Sequence, residues 1–255
     1  MKFFETHAHY SDDIFSNNQD EILKKCKASG IEYIIDIGYN IESSKKTIDL
    51  SQKYDYIYSA IGIHPHDVKT DDYKYIYEIY KENKNDKVLA IGEIGLDYAF
   101  VKDNKKEQIE LFINQIELAN TLKLPIIIHS RDAYLDTYNV IKENKAQYGT
   151  LFHCFHPNDD LVRLVLENGY MVAFGGNITY NRGKKFAEYV NTIPLEQIVL
   201  ETDSPYLPPE PYRSTVNTSL NLPIICNKLA EYKKLDVEYV ANTVFENSKK
   251  FFNIK

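Results

Sequence analysis

No apolar stretch of this chain approaches the roughly 20 residues needed to cross a bilayer, so no membrane anchor is expected. The opening MKFFETHAHY places charge at Lys2 and Glu5 before any hydrophobic segment can form, and no export signal is expected either. Cysteine is sparse. Cys26, Cys154 and Cys226 are far apart with no CxxC pair, which argues against a disulfide framework or a cysteine zinc site and for a cytoplasmic protein. Positive charge is also short: 30 Lys and Arg against 37 Asp and Glu give a formal net charge of −7. That excludes a protein that coats nucleic acid through a broad basic surface. It leaves room for an enzyme that grips a few phosphates, because bound divalent ions can make a site electropositive inside an acidic chain. Low-complexity tracts, repeats and shifts of composition are missing too, so nothing marks a second domain.

What is present is an ordinary globular composition, 44% hydrophobic and 26% charged over 255 residues, a length that suits one (β/α)8 barrel spanning residues 1–255. Short apolar, β-branched runs alternate with longer segments of 3.6-residue period. The strand candidates are Lys2 to Thr6, Tyr33 to Ile37, Tyr58 to Ile63, Val88 to Ile91, Pro125 to Ile128, Gly149 to Phe152, Tyr170 to Phe174 and Ile198 to Leu200. Between them lie helical patterns such as EQIELFINQIELANTLK, whose Ile109, Phe112, Ile113, Ile116 and Ala119 make one apolar face. Strict alternation favours a closed parallel (β/α)8 TIM barrel, a single-domain α/β fold, over an open sheet. The proline-rich PYLPPEPYRSTVNTSLNLP after the last strand is expected to form a substrate-contacting loop, with helices near Leu220 to Lys233 and Asp236 to Phe252 beyond it. The 21 tyrosines are assigned to packing and helix surfaces, as at Tyr73, Tyr77 and Tyr80, rather than to base stacking.

All seven histidines follow such strand-like runs, as do Glu93 and Asp203, so parallel strands would bring them to one rim. His7 and His9, two apart on an extended strand, project to the same side, a spacing that suits two ligands on one ion. Glu5 shares that face one step deeper as a supporting acceptor. Glu93 ends the fourth strand in GEIGLDY, and a buried carboxylate there calls for a cation. His129 closes LPIIIH and His153 closes GTLFH. Asp203 follows IVLET; with Glu201 on the same face, one carboxylate can activate water while the other supports it from beneath, and Asp203, nearer the rim, is the choice for the reacting group. His64, in GIHPH, is assigned to substrate phosphate or a bound water, and Arg131 in HSRDA, opening a helix at the rim, to bidentate phosphate contact. Cys154 is expected to be a buried small residue; His66 and His156 stay unassigned, and Asn177 is divided between substrate contact and a turn role.

The segments ETHAH, GIHPH, GEIGLDY, the helix with Gln108, Phe112 and Gln115, PIIIHSRDA, LFHCF, FGGNITY and ETDSPYLPP, in this order, resemble the TatD family of metal-dependent deoxyribonucleases in the metallo-hydrolase barrel superfamily. The resemblance covers nearly the whole chain. It implies two divalent ions, with His7, His9, Glu93 and Asp203 around one, and Glu93, His129 and His153 around the other. Three departures from the family pattern stand out: Glu5 in place of Asp, HCFHP in place of HCFSG, and RSTVNTS in place of a more basic segment of which Arg213 and Asn217 keep their register. Arg213 is therefore assigned to phosphate, with weaker and less salt-dependent nucleic-acid binding expected than for typical members.

The expected activity is hydrolysis of DNA phosphodiesters, removing nucleotides from the 3′ end of single-stranded or damaged strands, with DNA as a transient substrate and no obligate protein partner. The histidine-rich donor set leans toward Zn2+, Mn2+ or Co2+, and phosphoryl chemistry permits Mg2+. Two rival readings remain: a small-molecule hydrolase of amides, lactones or phosphoesters on the same barrel, and a non-catalytic metal-binding or scaffold protein. A carbamylated lysine at the end of strand four would favour the first rival; this chain carries Glu93 there.

Overall fold

A computed structural model describes residues 1–83, 86–99, 103–181 and 183–255. The strands are β1 (Phe3–Ala8), β2 (Ile31–Ile37), β3 (Ile57–Ile61), β4 (Val88–Asp97), β5 (Ile126–Arg131), β6 (Thr150–Phe152), β7 (Met171–Phe174) and β8 (Ile198–Leu200). The helices that alternate with them are α1 (Gln19–Ala28), α2 (Ile41–Lys53), α3 (Lys74–Asn83), α4 (Lys105–Leu122), α5 (Tyr134–Glu143), α6 (Asp159–Asn168) and α7 (Gly183–Thr192), and α8 (Leu222–Lys233) and α9 (Val237–Phe251) follow β8. The eight strands form one sheet in chain order, as in a (β/α)8 barrel. No helix among the described residues is long and apolar enough to cross a membrane.

Chain contacts divide the protein into two compact units, Met1–Ile35 with His153–Lys255, and Asp36–Phe152. In the first, β8 pairs parallel with β7, and the chain leaving it bridges Ala8 to Ser204. The core beneath is aromatic: Phe4 stacks on Phe252 at 5.7 Å and meets Phe245 at 6.4 Å. Local chemistry sets the helix ends. Asn158 caps α6 by accepting from Asp160 and Leu161, Gly169 ends that helix in the left-handed region at φ 66°, and Asp236 caps α9.

In the second unit, β3, β4, β5 and β6 pair in parallel. A capping box starts α2, with Asn40 accepting from the Ser43 N–H and Ser43 Oγ accepting from the Asn40 N–H. The long helix α4 differs from its apolar-face expectation. Ile109 and Ile113 are part-exposed, whereas Gln108 and Gln115 are fully buried beside Phe112, Ile116 and Ala119. Each glutamine mimics a missing strand. Gln115 accepts from the Ile63 N–H at 2.8 Å and donates to the Ile63 carbonyl at 2.9 Å; Gln108 does the same for Asp97 at 2.9 and 3.0 Å. The chain leaving β3 and the end of β4 are thereby satisfied and fixed.

Three local expectations are corrected. Glu93 lies inside β4, which continues to Asp97 instead of stopping at Ile91. The register of β4 on β5 slips between Ile91 and Ile94, so Gly92 and Glu93 occupy a bulge, a device that re-aims a side chain without ending a strand. Arg131 is the last residue of β5 rather than a helix opener, because α5 starts only at Tyr134. Cys154 is part-exposed, not buried, since its φ of 42° turns the chain directly after His153.

Candidate metal centres

In the first unit, the end of β1 and the exit of β8 are zipped together. Thr6 Oγ1 donates to the Leu200 carbonyl at 2.9 Å, the Asp203 N–H donates to His7 O at 2.9 Å, and the His9 N–H donates to Ser204 O at 2.7 Å. This places Asp203 Oδ1 3.4 Å from His9 Nε2 and 3.7 Å from His7 Nε2. His153 enters from the end of β6 and stacks on the His7 ring at 3.9 Å. His7, His153 and Asp203 each offer a ligand atom, all within 4.8 Å of one another. Asp203 adopts φ 58°, a left-handed conformation that is uncommon for a residue with a side chain and costs about 1–3 kcal/mol, so its surroundings over-determine its position. Burial alone would raise its carboxyl pKa; the hydrogen bond from His9 and the charges of His153, His7 and His9 outweigh burial and hold it below the usual value.

Two carboxylates support this cluster from beneath. Glu201, fully buried, accepts from the Cys154 N–H at 2.6 Å and lies 3.5 Å from His153 Nδ1. Its second oxygen, Oε2, is buried with no hydrogen-bond partner among the described residues. A carboxylate in that condition fits a cation nearby. Glu5 accepts from the Thr202 N–H and hydroxyl at 2.8 and 2.6 Å and from the His7 N–H at 3.2 Å. Burial pushes its pKa up to about 8 against those hydrogen bonds.

The second unit carries its own cluster. The Glu93 bulge puts Oε1 2.7 Å from His129 Nδ1, and His64, Glu93 and His129 offer ligand atoms within 4.8 Å of one another. His129 Nε2 lies 3.0 Å from Asp97 Oδ2, and His66 Nε2 reaches the same oxygen at 3.1 Å. An imidazole with a carboxylate at each nitrogen holds a proton on both sides or yields one position to a metal ion, so the donor set fits a divalent cation. Gly95 makes this approach possible. At φ 140°, opposite His129 in the register, it leaves no room for a side chain, since a Cβ would stand 2.0 Å from His129 O.

His64 has a different character. Its Nδ1 accepts from the His66 N–H at 3.2 Å, so the neutral ring carries its proton on Nε2, which points to Glu93 at 3.8 Å. Burial, and then the neighbouring His129 charge, drive its pKa well below the ordinary histidine value. It is a neutral hydrogen-bond donor near pH 7.

The remaining candidates are placed less centrally. Arg131 is exposed at the end of β5. Arg213, half-exposed, lays its guanidinium over the Tyr180 ring at 3.9 Å and lies 3.7 Å from Glu210. His156 is tied to Cys154 O at 2.7 Å, and buried Asn177 donates to Cys154 Sγ at 3.2 Å, which gives both a local bracing role. Sequence reasoning passed over Asp97, which the structure joins to two histidines; its signal was the alternation of Glu93, Gly95 and Asp97 within GEIGLDY. It also passed over the bracing by Asn217, which is buried and donates through Nδ2 to Thr202 O and Tyr206 O, both at 2.8 Å.

Residues 4–253 match the model of the TatD related DNase family. The chain belongs to that family. It is 36% identical over 255 residues to the uncharacterized metal-dependent hydrolase YabD of Bacillus subtilis, covering 98% of this chain and 99% of YabD. It is 31% identical to the uncharacterized metal-dependent hydrolase MJ1582 of Methanocaldococcus jannaschii, over 99% of this chain and 97% of that protein. Among solved structures, the TatD homolog YjjV of Escherichia coli superposes with a TM-score of 0.91 at 26% identity, over 99% of this chain and 98% of its own. The chain is thus a TatD-family hydrolase with an eight-stranded parallel α/β barrel fold and His, Glu and Asp clusters suited to metal ions.

Proposed function

We propose that this TatD-family protein is a metal-dependent deoxyribonuclease that removes nucleotides from the 3′ end of single-stranded or damaged DNA. The observation that carries the reading is Asp203, an ionised carboxylate held in a strained conformation beside three imidazoles. His7, His9, His153 and Asp203 would hold one divalent ion, and Glu93 and His129 another. Bound divalent ions supply charge that polarises a phosphoryl oxygen and lowers the pKa of water.

The chain's own part is positioning and proton transfer. Asp203 Oδ1 accepts the proton of the attacking water; its lowered pKa keeps it ionised and so open to a proton, and the bond of its N–H to His7 O fixes its place. Glu201 and Glu5 keep His153, His7 and Thr202 in place. Neutral His64 donates from Nε2 to a phosphate oxygen, while Arg131, exposed at the end of β5, takes a further one. The test is digestion of 3′-labelled and 5′-labelled single-stranded DNA by metal-stripped protein with Mg2+, Mn2+ or Zn2+ restored. Stepwise shortening from the 3′ end with a restored ion is the expected result. Folded, metal-binding protein that cleaves no strand would turn the assignment to a small-molecule hydrolase.

A further inference from the structure

Tyr206 follows Asp203 by three residues, and its N–H donates to Asp203 O at 2.7 Å, closing a tight turn. The turn is braced from the far end of the loop. Buried Asn217 donates its N–H to Pro205 O at 3.0 Å and its side-chain amide to Tyr206 O at 2.8 Å. Despite this fixed backbone, Tyr206 is 51% exposed. It meets the ring of His9 edge-on, with centroids 6.0 Å apart at 65°. Scattered exposed aromatics are normal on a protein surface, and Tyr75 and Tyr239, on α3 and α9, are of that kind. Tyr206 differs in being an exposed aromatic residue on a braced turn, set against the imidazole–carboxylate cluster.

The loop that carries it offers little else to grip a strand. Between Pro205 and Pro223 the only charged residues are Glu210 and Arg213, which lie 3.7 Å from each other, and Arg213 is stacked on Tyr180. The same loop exposes Tyr212, Val216 and Leu220. A chain of net charge −7 with such a loop gains little from phosphate attraction there and more from stacking, which every base can supply because every base has a π face.

We propose that Tyr206 is the platform on which the terminal nucleobase of the substrate strand stacks, with its phosphate directed to Asp203. The proposal rests on the deoxyribonuclease reading and adds a recognition element to it. A terminal base still paired in a duplex must give up its pairing before it can turn onto the ring, so the platform selects unpaired ends, and purines over pyrimidines.

The experiment measures KM and kcat of the metal-loaded protein on single-stranded oligonucleotides whose 3′ residue is adenine, thymine or an abasic tetrahydrofuran. The native protein is expected to show a KM at least about fivefold higher for the abasic end than for adenine. In Tyr206→Ala that ratio should fall to near one, and Tyr206→Phe should restore it. Tyr206→Leu, which keeps an apolar contact for His9 but no aromatic face, carries the same expectation as alanine and covers a folding failure of the alanine variant. A ratio near one in the native protein, or a native-like ratio in the leucine variant, overturns the proposal. Failure of the deoxyribonuclease reading looks different: bis(p-nitrophenyl) phosphate is hydrolysed while none of the three oligonucleotides is cleaved, and the platform falls with it.

Discussion

Asp97 shows how one buried carboxylate can govern a site it does not head. Its Oδ2 lies 3.0 Å from His129 Nε2 and 3.1 Å from His66 Nε2, while Glu93 takes the other nitrogen of His129. Asp97 therefore fixes the orientation of His129. Asp97→Asn should weaken binding of Mn2+ or Zn2+ at the Glu93–His129 cluster by about 10- to 100-fold, read by titration calorimetry. A purely structural Asp97 would lower the melting temperature and leave metal affinity intact. Glu201 plays a comparable part under His153, receiving the Cys154 N–H at 2.6 Å and so coupling the ring to the turn that follows it.

Helix α4 shows why an element's pattern and its role can diverge. A buried glutamine in an otherwise amphipathic helix looks like a lapse of the pattern until its partners are known, and those lie far away in sequence: Gln115 bonds both backbone groups of Ile63, 52 positions off. Since His64 follows Ile63, the helix holds a site residue by its neighbour's backbone. Gln115→Ala should leave the buried N–H and C=O of Ile63 without partners, at about 1–3 kcal/mol each. A lower urea midpoint with an unchanged m-value is the expected outcome, and an unchanged midpoint would show that water replaces the amide. The same limit on sequence reading applies at Asn217, whose bonds to Thr202 and Tyr206 span 15 and 11 positions. For β4 the boundary was set too early, at Ile91. Gly92 belongs to a bulge within the strand, which runs on to Asp97.

At the scale of the molecule, the alternation of short β-branched runs with 3.6-period segments was legible because the two periods differ in length as well as spacing, and the strands emerge in chain order in a single sheet. Within the first unit the clustering was legible for a related reason: residues just after parallel strands share one end of the sheet, so His7, His9, His153 and Asp203 could be gathered from position alone. What position could not show was side-chain pairing, such as His153 on His7 or His66 on Asp97, because those contacts depend on packing between distant segments. The acidic balance of the chain, −7, is compatible with a nuclease only if few contacts and bound cations do the gripping, which makes the clusters the centre of the account.

The most direct measurement is single-stranded DNA cleavage by Asp203→Asn, with circular dichroism and bound-metal content determined on the same sample. A folded protein whose turnover falls by about 100- to 10,000-fold is expected, the range for loss of a general base. Native-level cleavage by a folded Asp203→Asn protein would contradict it.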